Sequence, residues 1–189
     1  NISKMADVTV ADIEAARAAA CYPSLKDKAV LITGGASGIG ASTVVHFVVQ
    51  GAKVAFIDRD QGAAEALLTT LKEAGETAPL FVACDLTDLA AAKAAASGIE
   101  NSLGPIRVLV NNAARDDWHK IADVTPEYWD ERLNVNLRHQ FFMAQSVAPG
   151  MAKAGGGSIV NLGSTSWMVC TDDLAVYQAA KAGAVGLTR

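Results

Sequence analysis

Apolar runs of strand length recur along the chain at residues 29–33, 53–58, 80–84, 106–110 and 158–162. Each is nearly unbroken in Val, Ile, Leu and Phe and lacks the alternation of a half-exposed strand, a pattern that fits burial on both faces. Between them lie stretches of helix length at 38–50, 61–74, 88–102 and 126–153, with a last one from about residue 173. Strict alternation of strand and helix predicts βαβ crossovers, a parallel sheet and a doubly wound, Rossmann-like α/β fold. Residues 1–25 form a leader. In it, Thr9-Val-Ala-Asp12 has the form of a capping box and opens a short Ala-rich helix to about Cys21, with Pro23 as the stop. A surface arm or oligomer contact is its expected role. No linker-like composition divides the remainder, so 26–189 is expected to be one domain.

Composition narrows the class. Of 189 residues, 51% are hydrophobic and 19% charged, too apolar for a disordered chain. A net charge of −4, a sequence pI near 5.3 and the lack of a basic stripe argue against nucleic-acid or anionic-membrane binding. The long uncharged stretch 29–52 is interrupted by glycines and His46, so it does not read as a membrane span. Asp7, Asp12, Glu14 and Arg17 break any apolar signal segment, which makes a soluble cytoplasmic protein the expectation. Cys21, Cys84 and Cys170 are scattered without a C-x-x-C and read as buried small apolar residues in a reduced compartment. Three dispersed His predict no metal site, and Tyr128 and Trp129, in helical register with Leu133, read as core or interface.

The chemistry concentrates at strand ends. Thr33-Gly-Gly-Ala-Ser-Gly-Ile-Gly40 follows the first strand and opens the first long helix. Glycines there permit a tight turn and let backbone N–H groups approach a pyrophosphate, which the positive helix end favours. The place is that of a dinucleotide fingerprint, although the spacing is T-G-x-x-x-G-x-G. Asp58 closes the second strand, placed to accept from a ribose 2′-OH and to repel a 2′-phosphate, which favours NAD over NADP. The adjacent Arg59 weighs the other way. The triplet at 155–157 precedes a strand, so it belongs to the opposite sheet edge and reads as a turn. Tyr177 and Lys181 stand four apart on the last helix and share a face. An ammonium beside a phenol favours the phenolate, so a lowered Tyr177 pKa and a general acid/base role are expected. Ser164, just beyond the fifth strand, and Asn111-Asn-Ala-Ala114, ending the fourth, fall on the same carboxyl edge of the sheet.

These motifs, in this order, resemble the short-chain dehydrogenase/reductase family from about residue 25 to 189. The resemblance rests on the glycine loop, Asp85 after the third strand, the Asn-Asn-Ala segment, Asn136 in Val135-Asn-Leu137, Ser164 and Tyr177-x-x-x-Lys181. It implies a cofactor site at Gly34, Ser37, Gly38, Ile39, Gly40 and Asp58, with Asp85 and Leu86 at the adenine and Asn112, Ala113 and Ala114 along the adenosine. It also casts Tyr177 as the proton-transfer residue and has Lys181 hold the nicotinamide ribose. Ser164 would polarise the substrate oxygen, and Asn136 would hold a water of a proton relay. Ala114 departs from the family, which usually has Gly there.

A narrower resemblance, to bacterial aldose 1-dehydrogenases and their D-xylose type, rests on Tyr22-Pro-Ser-Leu-Lys26, Arg115-Asp-Asp-Trp-His-Lys120, the segment at 124–132 and Asn136-Leu-Arg-His-Gln-Phe-Phe142. Asp116, Asp117 and His119 are then candidates to meet sugar hydroxyls, and Trp167 to supply an apolar face to a pyranose. The function so implied is hydride transfer from the C1 hydroxyl of an aldose to NAD, giving a lactone. Its rivals are another short-chain alcohol dehydrogenase or carbonyl reductase of steroid or 3-oxoacyl type, and a non-catalytic NAD-sensing module. A small-molecule substrate and a homotetramer or dimer are the expected partners. Family members continue beyond the Tyr-x-x-x-Lys helix, so the last two strands and a substrate-covering loop are expected to be absent here, with the fifth strand an apolar edge.

Overall fold

The computed structural model describes residues 7–169 and 171–189; Cys170 lies outside them. Five parallel strands, β1 (Ala29–Thr33), β2 (Lys53–Asp58), β3 (Leu80–Ala83), β4 (Ile106–Asn111) and β5 (Ser158–Asn161), form one sheet in the order β3-β2-β1-β4-β5. The connections are helical: α2 (Gly38–Val49), α3 (Gln61–Glu73), α4 (Leu89–Leu103), then α5 (Pro126–Leu133) and α6 (His139–Lys153) before β5, and α7 (Ala175–Thr188) after it. Successive residues of the central strands feed opposite cores. Val30, Ile32, Val54 and Phe56 pack with α2 and α3, whereas Leu31, Ala55 and Ile57 pack with α4 and α6. That explains the unbroken apolar runs of β1 and β2. The outer strands β3 and β5 are only partly covered, and Val160 is exposed on the β5 edge.

Helix α1 (Val10–Arg17) opens with the Thr9–Asp12 capping box and ends at Ala18, earlier than the predicted Cys21. It is no loose arm. Ile13 and Ala16 are buried in the core shared by α2 and α3, and Arg17 pairs with Glu76 at 2.8 Å and donates to Ala74 O. Cys21 is exposed, since α1 ends before it, and Cys84 is half-buried, since it lines a cleft beyond β3, which corrects the reading of both as core residues. The single helix predicted over 126–153 is broken by a wide turn of π form, Asn134–Arg138, between α5 and α6. Its centre, Asn136, is fully buried and hydrogen-bonds another loop, and one extra residue per turn turns it there.

Candidate active site

β1 and β4 are neighbours in the sheet, but their helices leave on opposite faces, so a crevice opens beyond their carboxyl ends. A cleft of about 360 Å³ occupies it, and the glycine loop forms one wall. Gly34 adopts φ +66°, a region that disfavours a side chain, and a Cβ at Gly40 would collide with the Gly34 carbonyl oxygen. The loop is pinned from β4. Asn112 Nδ2 donates to Thr33 O at 3.0 Å and to Gly34 O at 2.8 Å, while the backbone N–H groups of Asn112 and Ala113 donate to Thr33 Oγ1. Asp58 tightens it from β2, accepting from Ala36 N and Asp60 N at 3.0 Å each. Ser37 makes no side-chain cap to α2, so the first N–H groups of that 12-residue helix lack a protein acceptor at the cleft wall.

Farther along, Asp85 accepts from Thr87 N and Thr87 Oγ1 at 2.8 Å, and the Thr87 backbone bond is the main reason its carboxyl stays below the usual range. Leu86 is buried beside it, and Ala113 and Ala114 complete that wall.

Tyr177 and Lys181 line the same cleft. Lys181 is fully buried; its Nζ donates to Leu162 O at 2.7 Å and lies 5.6 Å from the Tyr177 ring centroid. Burial pushes this ammonium down to about 8, against a smaller opposing pull from Asp116. Burial raises the Tyr177 phenol; Ser164 offsets part of that rise, and the Asp116 charge adds to it. The direction is opposite to the expected lowering. Lys181 is itself desolvated and bound to a carbonyl, so it contributes little to the phenolate here.

The structure gathers most predicted site residues at one cleft but sends others elsewhere. Ser164 is half-buried beyond β5, with its hydroxyl donating to Ser166 Oγ at 2.9 Å and accepting from Ser166 N. Asn136 accepts from Arg115 N through Oδ1 and donates to Arg115 O through Nδ2, so its amide serves the loop after β4. Of the three polar candidates in that loop, Asp116 lines the cleft. Asp117 is held by Arg115 at 2.9 Å and by the buried Arg132, and Glu131 bonds both guanidiniums in turn. His119 has both ring nitrogens engaged, with Tyr128 Oη at 2.9 Å from Nδ1 and Val176 N at 3.3 Å from Nε2. Trp167 sits among exposed residues after β5, next to Met168 and Val169. Trp129 is exposed, and Tyr128 packs its ring under the Arg132 guanidinium at 4.5 Å, so neither is a core residue. Arg115, Glu131, Cys84 and Val135 line the cleft without having been foreseen. The run of opposite charges at 115–117 and 131–132 was the available signal for the first two.

A family model described as short chain dehydrogenase matches residues 28–189. The chain belongs to the short-chain dehydrogenase family. Among its relatives, D-xylose 1-dehydrogenase of Caulobacter vibrioides is 51% identical over 173 residues, which cover 90% of this chain and 66% of that protein. A probable galactose dehydrogenase of Rhizobium meliloti is 49% identical over 168 residues, covering 89% and 66%. The crystal structure of a metagenomic short-chain oxidoreductase in complex with NADP superposes with a TM-score of 0.81 at 32% identity, covering 87% of this chain and 74% of that one. This short-chain dehydrogenase chain thus spans just under two thirds of the length of the two sugar dehydrogenases it matches. No helix among its described residues is long and apolar enough to cross a membrane.

The residues fit a dinucleotide. A glycine loop with no room for a side chain at Gly34 or Gly40, the unpartnered N–H groups opening α2, and an acidic strand end lie in one cleft, which is what a pyrophosphate and a ribose need.

Proposed function

We propose that the full-length protein oxidises the C1 hydroxyl of an aldose, D-xylose or a related sugar, to a lactone with NAD as acceptor. The observation that carries this reading is the single cleft joining the glycine cradle to Tyr177, Lys181 and Asp116, read beside the 51% identity to a D-xylose 1-dehydrogenase. When bound, the dinucleotide supplies the acceptor for the hydride that leaves C1. Tyr177 Oη, ionised once its own proton has passed to solvent, takes the hydroxyl proton as the C1–O bond becomes a carbonyl, and Ser164 Oγ turns from Ser166 to donate to that oxygen. Lys181 holds the nicotinamide ribose. Asn136 serves the proton relay by fixing the Arg115–Asp116 backbone, and Asp116 accepts from a neighbouring sugar hydroxyl. The raised Tyr177 pKa makes the phenol the resting form, so positive charge brought by the cofactor favours its ionisation.

Asp58, held toward the cleft by two backbone donors, supports NAD, while Arg59 on the same wall is the group that would accept a 2′-phosphate. The unpaired thiols of Cys21 and Cys84 support a reducing, cytoplasmic setting. Exposed Phe141 and Phe142 on α6 and Val185 on α7 support a homo-oligomer, a tetramer or dimer, packed through these helices. Residues 1–25 are read as a leader attached to a catalytic domain from 26 onward, in keeping with a family match that starts at residue 28.

The test is turnover by the purified full-length protein with NAD and NADP against a panel of aldoses. NADH formation is expected with pentoses or hexoses, and Tyr177→Phe is expected to lower kcat by about 10²-fold or more while dinucleotide binding persists. Absence of turnover on every aldose overturns the substrate class, and a fully active Tyr177→Phe variant overturns the mechanism.

A further inference from the structure

Helix α7 carries Tyr177 in its first turn but has no side-chain cap of its own. The preceding Leu174 makes no cap bond, and Asp173 before it turns the chain through φ +56°. The first N–H groups of a helix have no partner inside it, and an N-cap side chain normally accepts from one of them. Here the acceptor comes from another element. His119 Nε2 lies 3.3 Å from Val176 N, the amide immediately before Tyr177, and His119 N donates to Asp173 O at 2.7 Å.

A backbone N–H can only donate, so Nε2 must be the unprotonated nitrogen and Nδ1 must carry the ring proton. Nδ1–H then faces two acceptors, Asp117 O at 3.0 Å and Tyr128 Oη at 2.9 Å, and Tyr128 Oη itself donates to Asp117 O. That chain of donors leads back to the loop after β4, whose Arg115 backbone Asn136 holds from the other side.

We infer that His119 is a positioning residue that caps α7 from the β4–α5 loop and thereby sets the place of Tyr177 in the cleft. The role rests on the proposed function for its effect on turnover, but not for the cap itself. His119 is not among the residues that line the cleft; it acts through the amide next to Tyr177. A misplacement of about 1 Å at a proton-transfer group lowers the rate by orders of magnitude, so a capping residue in this place is visible in kcat.

Two polar replacements separate the ends of the ring. His119→Gln keeps an acceptor at the reach of Nε2, whereas His119→Asn keeps only the position of Nδ1. Hydrogen exchange of the full-length protein without cofactor, read on the segment 174–181, is expected to run about 2- to 30-fold faster in His119→Asn and near wild type in His119→Gln. In turnover, His119→Asn is expected to lower kcat about tenfold or more with dinucleotide Kd unchanged, and His119→Gln to restore most of it. Unchanged exchange in 174–181 for His119→Asn overturns the inference, as does a His119→Gln protein that exchanges as fast as His119→Asn. If the wild type oxidises no aldose, the proposed function fails, and exchange alone decides the cap.

Discussion

Asp116 is the carboxylate whose charge reaches both members of the Tyr177–Lys181 pair, raising each of them. Its neighbours cannot substitute for it, since Asp117 is shared between two guanidiniums and Arg115 is occupied by Asp117 and Glu131. Removing this charge relieves the phenolate of a repulsion, so in Asp116→Asn the alkaline rise of kcat/KM for sugar oxidation is expected at lower pH than in the wild type. A pH profile of the full-length variant checks the sign. The same variant removes the proposed acceptor for a sugar hydroxyl, and KM for the sugar is expected to rise about tenfold, the value of one charge-assisted hydrogen bond. An unmoved pH limb together with an unmoved KM would separate Asp116 from both roles. The chain carries two adjacent aspartates with the same local chemistry, and only the tertiary arrangement assigns one to the cleft and the other to an ion cluster.

At the scale of elements, two segments behave differently from their sequence pattern. Helix α1 is short, eight residues, and would not persist alone in water. Its stability comes from Ile13, fully buried against α2 and α3. Ile13→Ala is therefore expected to cost about 2–5 kcal/mol in urea denaturation, the range for a buried Ile that leaves a cavity. Because α1 lies on the sheet face away from α7, kcat at permissive temperature is expected to stay unchanged. A variant as stable as the wild type would mean that α1 detaches in solution. The second segment is 126–153, whose apolar periodicity reads as one helix but which is interrupted at Asn134–Arg138. Helical periodicity records which face is apolar and carries no sign that a buried Asn will be drawn out by the Arg115 backbone. Asn136 was legible as a candidate, but the wide helical form of the turn around it was not.

For the molecule as a whole, the cleft is a place where stability is given up. Lys181 is buried with a single carbonyl partner, and its pKa is about 8 in the fold against 10.5 in an unfolded chain. Between those values the unfolded chain holds more protons, so this group makes the fold gain stability as pH rises from about 8 toward 10.5. Below pH 8 the full penalty applies. Lys181→Met is expected to abolish turnover and to raise the stability of the cofactor-free protein at pH 7, by on the order of 3 kcal/mol at most. Denaturation at pH 7 and pH 10 in both proteins measures it, and the gap between them is expected to narrow at the higher pH. The alternation of strands and helices, the glycine loop at the first crossover and the Tyr177–Lys181 pair were all legible in the sequence. Each is encoded by residues within a few positions of one another, where strand and helix periodicity and the freedom of glycine act locally. The tertiary structure alone decided the direction of the Tyr177 pKa, the division of labour between Asp116 and Asp117, and the engagement of His119 with an amide 57 positions away. Those outcomes depend on burial and on partners brought together by packing, and neither quantity exists until the sheet has closed its two cores.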